Sequence, residues 1–549
     1  MPSPPVETGT PPGPSVAAGR ACPPPAPAAP TSIPAGEHGW WRDRVFYEVF
    51  VRSFADSDGN GIGDLKGLIG RLDYLNDGKA RTTDDLGVTG LWLMPVAEAA
   101  SYHGYDVVDY RAVERDYGSV EDMRALIAAA HERGIAVIVD MVANHTSNLH
   151  PWFKESLDPG SARANWYVWA DENPGYGGPE GQLVWHPAGD RFYYGLFWDG
   201  MPDLDLRNRD VTAELHDVAR YWLRDIGVDG FRLDAVIHLV EEGREQVNTV
   251  ETHAWLRDYH AAVHAVKPAA MLVGEAWDVP RTTASYAPED IDLVFEFGLA
   301  AGTVDAVRRG SARPLLAARQ EAAGLYEPGE IATFLTNHDQ ARVATQLGGE
   351  PDALRLAAAI LLTGPGVPFI YYGEEIGLTG GKPDERIRTP MAWSSAAPAA
   401  GFSTGSPWEA LEPGWETRNV EAHSKDADSV LAAYRDLIRL RGEHPALRDG
   451  EDLVVDSGAD PVAASLRSTA GEWLLIVANL ADAPVSDYAL SVAEGPLCGQ
   501  PRASIIFGPE ESAAQPLAMP TITAAGGLDG YVPLPSLPPR SVTVISFQP

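Results

Sequence analysis

The sequence is poor in cysteine and in positive charge, and it lacks a long apolar run. Two cysteines, Cys22 and Cys498, are too few for a disulfide framework, and the chain has no zinc-ligand spacing. There are 77 acidic residues against 42 lysines and arginines, a net charge of −35. That balance disfavours nucleic acid and anionic lipid as partners, because both bind basic surfaces. No apolar stretch approaches the roughly 20 residues of a membrane span.

The first residues are instead rich in proline, alanine and glycine. Residues 1–38 are predicted to form a disordered tail or semi-rigid tether without the apolar core of a signal peptide. Such tethers often follow an export signal or a lipid anchor. The composition therefore favours an extracellular or cell-surface location and leaves a cytoplasmic one open.

From about Trp40 onward, short apolar runs alternate with amphipathic segments. The runs are VFYEVFV (45–51), VTGLWLMPV (88–96), IAVIVDMV (135–142), VDGFRLDAV (228–236), AAMLVGEAW (269–277), DLVFEF (292–297), IATFLTNHD (331–339) and VPFIYYGEE (367–375). Alternating strands and helices indicate a parallel sheet. Eight such units predict an α/β protein with a (β/α)8 TIM barrel.

Two departures from this alternation predict further domains. Residues 145–208, rich in Trp, Tyr, Gly and Pro, separate the third strand from the next helix, and loops this long are uncommon unless functional. We expect an inserted domain B there. Short alternating apolar runs after residue 449 predict an antiparallel β-sandwich, domain C, over 450–549. The barrel, domain A, is then expected over 39–144 and 209–449.

Polar residues collect at the C-terminal ends of the runs, where barrel enzymes build their sites. Arg232 and Asp234 interrupt the fourth run and, two residues apart, point to the same face of a strand. Buried charges are costly unless they are paired or solvated, so this pair alone is as compatible with a structural ion pair as with a site. Glu275 at the end of the fifth run and Asp339 after the seventh favour a site.

Three carboxylates at one barrel mouth suit the cleavage of a glycosidic bond. Asp234, Glu275 and Asp339 repel one another, so at least one pKa should rise. One acid can then stay protonated while another remains a charged nucleophile. Cleavage through a covalent intermediate needs that division of roles, and Arg232 would keep Asp234 ionised.

Four motifs resemble those of the α-amylase family, glycoside hydrolase family 13. They read DMVANH (140–145), GFRLDAVIH (230–238), GEAW (274–277) and FLTNHD (334–339), in the family's order. The resemblance covers roughly residues 40–549. It implies Asp234 as nucleophile, Glu275 as acid/base and Asp339 as the residue that binds sugar hydroxyls and stabilises the transition state. It also implies that the sugar at the cleavage point is held by His103, Tyr105, Asp106, His145, Arg232 and His338.

The stretch DSDGNGIGD (56–64) mimics the first nine positions of a helix–loop–helix calcium loop. The candidate ligands are Asp56, Asp58, Asn60, the backbone carbonyl of Ile62, and Asp64. The terminal bidentate Glu of such loops is missing, so an acidic, Gly-rich surface loop is the alternative. Many members of the resembled family bind calcium in this loop, which supports a structural Ca²⁺. No organic cofactor is expected.

The resemblance also points to a subgroup. MPDLDL (201–206) resembles the signature of enzymes intermediate between oligo-1,6-glucosidases and neopullulanases, with Asp205 in place of the usual Asn. The small residues Ala235 and Val236 go with α-1,4 preference among relatives. The expected activity is retaining hydrolysis of α-1,4-glucosidic bonds in starch, maltooligosaccharides and related α-glucans, with some transglycosylation.

Several alternatives stay open on the sequence. Among glycoside hydrolases they are an exo-acting α-glucosidase or oligo-1,6-glucosidase, and a cyclomaltodextrinase or neopullulanase. His103 favours an open amylase-like cleft, whereas Asp106 favours a cleft closed at one end as in glucosidases. A trehalose-synthase-type isomerase shares the acidic triad but normally carries another fragment in place of MPDL. A non-catalytic amylase-like protein would have a membrane segment and damaged motifs. The sequence predicts no particular oligomeric state.

Overall fold

The computed structural model of the protein describes residues 37–79 and 82–548. Nearly all of the tail predicted over residues 1–38 therefore lies outside the described residues. Within the described ranges, no helix combines the length and the apolar character needed to cross a membrane.

A closed barrel of eight parallel strands forms the centre of the protein. Each strand pairs with its neighbour in the chain, and the last pairs with the first. The strands are β1 (Phe46–Val49), β2 (Gly90–Leu93), β3 (Ala136–Met141), β4 (Gly230–Leu233), β5 (Met271–Gly274), β6 (Leu293–Phe295), β7 (Ile331–Thr333) and β8 (Val367–Tyr371). Each lies inside one of the eight apolar runs, because strands covered on both faces need continuous apolar sequence. The predicted TIM barrel is confirmed.

Helices cover the outside of the barrel. They include α1 (Leu65–Ile69), α2 (Val120–Glu132), α3 (Arg209–Arg220), α4 (Val250–Val266), α5 (Pro280–Thr283), α6 (Phe297–Arg309), α7 (Pro351–Thr363) and α8 (Val430–Glu443). Further helical segments are Trp40–Asp43, Val51–Phe54, Leu72–Leu75, Pro151–Ser156, Tyr221–Ile226, Val236–His238, Arg313–Ala323, Val343–Gln346, Glu374–Ile376, Asp384–Ile387, Val420–His423, Pro445–Asp449 and Glu510–Ala513.

Helix α2 illustrates how the sequence fixes these elements. Ser119 and Asp122 form a capping box, in which the side chain of each accepts a hydrogen bond from the backbone N–H of the other. Met123, Leu126 and Ile127 recur at helical spacing and are buried, so the apolar stripe of α2 faces the barrel.

The N-terminal end of the barrel is closed by aromatic side chains. Trp40 and Trp41 belong to the same buried cluster as Phe46, Met271 and Leu293 of the barrel strands. The Trp40 indole Nε1 donates a hydrogen bond to the carbonyl of Ala269, 2.7 Å away, just before β5. This end of the barrel is packed, so the opposite end, where the strands finish, is the one available for a site.

Two smaller units flank the barrel. Between β3 and α3, strands Trp169–Ala170, Trp185–Ala188 and Arg191–Tyr194 form an antiparallel sheet with its own small core. After α8, strands Glu451–Val455, Val462–Thr469, Glu472–Asn479, Arg502–Phe507 and Ser541–Gln548 form a five-stranded antiparallel sheet. The paired strands Leu490–Glu494 and Gly526–Tyr531 share its apolar cluster. A further pair, Ala97–Ala99 and Val107–Val113, follows β2.

Candidate functional site

A cleft of about 850 Å³ opens at the C-terminal ends of the barrel strands. It lies between the barrel and the inserted segment after β3. Its walls are His103, Tyr105, His145, Glu180, Phe197, Trp198, Met201, Asp234, Ala235, Ile237, His238, Glu275, Trp277, Asp339, Lys382, Asp384 and Arg388. All three of the predicted catalytic acids are in this wall.

The guanidinium of Arg232 ties the acids together beneath the cleft. Its Nη1 donates to Asp140 at 2.9 Å and to Asp234 at 2.6 Å, and its Nη2 donates to Glu275 at 2.6 Å. Arg232 is fully buried and lies over the Trp92 ring, 5.2 Å from its centroid. A buried cation is tolerable only when it is paired, and here three carboxylates surround it. The sequence pair of Arg232 and Asp234 is therefore part of a larger charged network.

The barrel register places Asp234 beside Glu275. Leu233 and Gly274 are direct partners in the parallel pair of β4 and β5, and each acid is the next residue along its strand. Directly after Asp234, Ala235 takes a left-handed backbone conformation, with φ 46° and ψ 41°. Such a conformation costs about 1–2 kcal/mol for a residue with a Cβ. It lets the Ala235 N–H donate to Glu275 Oε2 at 3.2 Å.

The surroundings of Glu275 favour its protonated form. Burial and the nearby charges of Asp234 and Asp339 raise the pKa of Glu275 to about 7, against the opposing effect of Arg232. Asp140, at the bottom of the network, has a pKa raised by burial to about 6. A carboxylic acid that is half protonated near neutral pH can act as a proton donor and then as a proton acceptor.

Two nearby cations lower the pKa of Asp339, whereas the pKa of Glu275 is raised. The His338 imidazole lies 3.2 Å from Asp339 through Nε2 and 2.6 Å from Glu48 through Nδ1. Burial opposes the charge of His338, but the two carboxylates raise its pKa to about 10. Arg388 Nη2 donates to Asp339 at 2.8 Å. Burial alone would raise the pKa of Asp339, yet His338 and Arg388 hold it well below its ordinary value.

The two remaining predicted histidines line the cleft and are neutral. Burial lowers the pKa of His103 and of His145. His145 Nε2 lies 3.1 Å from the backbone carbonyl of Tyr105. The backbone of His145 also bridges to Asp203, and the neighbouring Asn144 amide donates to the Asp203 carboxylate at 3.0 Å. Asp203 of the MPDL fragment therefore helps to hold His145 in position.

Three of the predicted sugar contacts do not line the cleft. Asp106 is buried, and both of its carboxylate oxygens accept hydrogen bonds from Ser101, at 3.0 and 2.5 Å. Arg232 and His338 lie beneath the cleft and contact its acids. Tyr105 does line it, and its hydroxyl lies 2.6 Å from His338 Nε2. The structure thus brings most of the predicted residues into one network, while their roles remain predictions.

Several residues of the site were missed at the sequence level. Glu48 carried one signal, a lone acid inside the first buried run. Arg388 stands in the stretch RTPMAW (388–393), which belongs to none of the four motifs. Phe197 and Trp198 had no signal beyond the aromatic richness of the inserted segment. They are about half exposed, 44% and 47%, and offer aromatic faces to the cleft.

The loop after β1 also gathers oxygen ligands. The carboxylates of Asp56, Asp58 and Asp64 offer one oxygen each, and these lie within 4.8 Å of one another. A Cβ on Gly61, whose φ is +93°, would lie 1.9 Å from the Ser406 carbonyl, so only glycine fits this close approach. The donor set is all oxygen and acidic, which fits a hard cation such as Ca²⁺.

Comparisons with known proteins give a consistent result. A family model described as "Alpha amylase, catalytic domain" matches residues 48–450. Alpha-amylase 3 of Dictyoglomus thermophilum is 36% identical over 450 residues, 80% of this chain and 85% of that protein. Trehalose synthase/amylase TreS of Mycobacterium tuberculosis is 33% identical over 508 residues, 81% and 82% of the two chains. The crystal structure of alpha-amylase from H. orenii has a TM-score of 0.80 at 38% identity, covering 92% of this chain and 99% of that one.

The raised pKa of Glu275 leads to a spectroscopic prediction. Glu275 should bind a proton below a pH of about 7 and release it as the pH rises through that value. In infrared difference spectra, wild type minus Glu275→Gln, the C=O band of a protonated carboxyl should disappear with a midpoint near pH 7. The subtraction leaves Asp140 in both samples, so its own titration cancels to first order. A band already absent at pH 5 would contradict the assignment.

Proposed function

The chain belongs to the α-amylase family of glycoside hydrolases and transglycosylases. We propose that it hydrolyses the α-1,4-glucosidic bonds of starch and maltooligosaccharides with retention of configuration. The observation that carries the proposal is the shared guanidinium: Asp234 and Glu275 each lie 2.6 Å from a nitrogen of Arg232. This holds the two acids close, which fits the separation of about 5–5.5 Å in retaining enzymes better than the wider gap of inverting ones.

In the proposed first step, Asp234 attacks the anomeric carbon and displaces the leaving sugar. Glu275 donates its proton to the glycosidic oxygen as the bond breaks, so the leaving sugar departs as a neutral alcohol. In the second step, ionised Glu275 takes a proton from water, the resulting hydroxide attacks the anomeric carbon, and Asp234 leaves as a carboxylate. A sugar hydroxyl in place of the water would give transglycosylation.

The neighbouring charges suit the other demands of the reaction. Asp339 stays ionised beside Arg388 and His338, so it can accept hydrogen bonds from the sugar's hydroxyls and stabilise the positive charge of an oxocarbenium-like transition state. Glu275 Oε2 is held by Arg232 and by the Ala235 N–H, which leaves Oε1 to carry the proton.

Support for an α-1,4-glucan substrate comes from the cleft walls and from the relatives. Phe197, Trp198 and Trp277 expose aromatic faces that suit the apolar faces of pyranose rings. Trp277 is held flat against Phe297, with ring centroids 4.6 Å apart and an interplanar angle of 5°. A relative and a solved structure that resemble the chain over most of its length are named as α-amylases.

Removing either of the paired acids should abolish most of the activity. We expect Asp234→Asn to lower kcat on maltoheptaose by at least ~10³-fold, because no nucleophile remains. Glu275→Gln should lower kcat by about 10²–10⁴-fold, because the leaving oxygen is no longer protonated. Asp529→Asn, an exposed acid of the C-terminal sheets, is the matched control and should leave kcat unchanged. Near-wild-type activity of Asp234→Asn with an intact circular dichroism spectrum would refute the assigned role.

The products identify the reaction. Early in the hydrolysis of maltoheptaose, we expect a ladder of shorter maltooligosaccharides, and proton NMR should show the new reducing ends as the α anomer first. Glucose as the sole early product would indicate an exo-acting α-glucosidase. Trehalose formed from maltose would indicate the isomerase alternative, which the TreS relative makes worth testing. A first-formed β anomer would contradict retention.

We also propose that the loop at residues 56–64 binds a structural Ca²⁺. The candidate ligands are Asp56, Asp58, Asn60, the carbonyl of Ile62 and Asp64. The loop docks against the segment at Ser403, whose hydroxyl donates to Asp56 at 2.6 Å. The ion would hold the loop in the shape that docks against this segment, and none of the three catalytic acids belongs to this loop.

Calcium removal should therefore destabilise the protein without changing its chemistry. With Ca²⁺ at 100 times its Kd, the native state gains about 2.7 kcal/mol, so chelation by EGTA should lower Tm in a scanning calorimeter. Asp58→Asn should shrink this difference, because an exposed ligand loses its charge, whereas Asp158→Asn on another exposed loop should not. An EGTA effect of equal size in Asp58→Asn and wild type would place the ion elsewhere.

A further inference from the structure

A second cluster of metal-binding side chains lies at the opposite end of the barrel from the cleft. Asp292 directly precedes β6, at the N-terminal end of the strand. His260 and His264 lie one turn apart near the C-terminal end of α4, and His38 precedes the Trp40–Asp43 turn that closes the barrel. None of these four residues lines the cleft, and the proposed reaction uses none of them.

The histidine nitrogens converge on one carboxylate oxygen. Nε2 of His260, His264 and His38 lies 3.3, 3.4 and 4.0 Å, respectively, from Asp292 Oδ1. One ligand atom from each of His38, His264 and Asp292 lies within 4.8 Å of the other two. Ligands about 2.0–2.1 Å from a tetrahedral Zn²⁺ lie roughly 3.3 Å from one another. The spacing from Asp292 to His264 is therefore that of ligands around one ion, and His260 Nε2 is within hydrogen-bond distance of the same carboxylate oxygen.

The hydrogen bonds around His264 leave its Nε2 free to face Asp292. His264 Nδ1 is 3.1 Å from the Pro268 carbonyl, a contact that places the ring proton on Nδ1 and the lone pair on Nε2. His264 Nε2 is buried and, apart from Asp292 Oδ1 at 3.4 Å, has no hydrogen-bond partner among the described residues. Asp292 Oδ2 accepts the Leu272 N–H at 2.7 Å, which orients Oδ1 toward the histidines. Partners of this kind orient metal-binding side chains in proteins.

We propose that His38, His264 and Asp292 bind one divalent transition-metal ion, with Zn²⁺ as the best fit. Two imidazoles and one carboxylate, with solvent as the fourth ligand, would make a tetrahedral site of nitrogen and oxygen donors. Such a site suits zinc, whereas calcium favours sites made of oxygen donors alone. The carboxylate is 4% exposed, whereas the His38 side chain is 62% exposed. The ion would enter from the solvent side and complete its coordination with His38.

The metal would fasten the segment that contains His38 to the barrel. His38 packs edge-on against Trp41, with ring centroids 5.0 Å apart, and Trp41 belongs to the aromatic closure of the barrel. Binding to His38 on one side and to α4 and β6 on the other would restrain that closure. The ion is a structural clamp at the closed end, so the hydrolysis of glucan should not depend on it.

The test is metal binding by the full chain, with Ca²⁺ in excess so that the loop at residues 56–64 is filled. In isothermal titration calorimetry, wild type should bind one Zn²⁺ per chain. Both His264→Ala and Asp292→Asn should weaken this binding by at least ~10-fold. Co²⁺-loaded wild type should show the visible absorption of a tetrahedral site, and Zn²⁺ should raise Tm in wild type but not in His264→Ala.

His131→Ala is the matched control. His131 Nε2 also faces a carboxylate at the same end of the barrel, 2.7 Å from Asp229 Oδ2, but that oxygen forms a single histidine hydrogen bond and the other is paired with Lys267. This variant should bind Zn²⁺ as wild type does. Circular dichroism checks the fold, and Asp292→Asn keeps an acceptor for the Leu272 N–H if His264→Ala proves unstable.

The proposal is overturned if wild type binds no Zn²⁺, or if His264→Ala and Asp292→Asn bind it as tightly as wild type. Loss of stability in these variants without any effect of Zn²⁺ on wild type would equally overturn it, because the cluster would then be only an imidazolium–carboxylate pair. Starch cleavage is measured in parallel and should be the same with and without Zn²⁺, so a failure here says nothing about the role of Asp234.

Discussion

The whole site depends on one buried guanidinium. Arg232 has almost no contact with solvent and binds Asp140, Asp234 and Glu275 at once. A cation in that position could not persist without its acids, and the acids could not lie so close together without the cation. The geometry that the proposed chemistry needs is therefore also the geometry that makes the buried charge stable.

The surroundings at the mouth of the barrel shift the pKa values of two carboxyl groups in opposite directions. Burial, assisted by the charges of Asp234 and Asp339, raises the pKa of Glu275 to about 7 against the opposing effect of Arg232. Asp339 is close to His338 and Arg388, so its pKa falls. Different local balances of charge thus prepare a proton donor and a permanent anion within one cleft, which is how environment assigns roles to chemically similar groups.

The two ends of the barrel have different tasks. At the C-terminal end the strands finish in polar residues and open into a cleft. At the other end, Trp40 and Trp41 fill the barrel and His38 reaches the cluster around Asp292. Aromatic packing closes this end, and the proposed metal would reinforce the closure. Stability can thus be added at the closed end without disturbing the acids of the cleft.

The sequence by itself determined the barrel and the positions of its acids. Strands buried on both faces must be apolar, so the eight runs located them, and a polar residue ending such a run marks the mouth of a barrel. The tertiary structure decided the partners. His338 pairs with Glu48, and His38 lies near Asp292, because segments far apart in the chain pack together. Asp106 bonds to Ser101 because the turn between them folds back. Local sequence patterns do not predict these contacts, because the paths of the loops in the folded protein determine them.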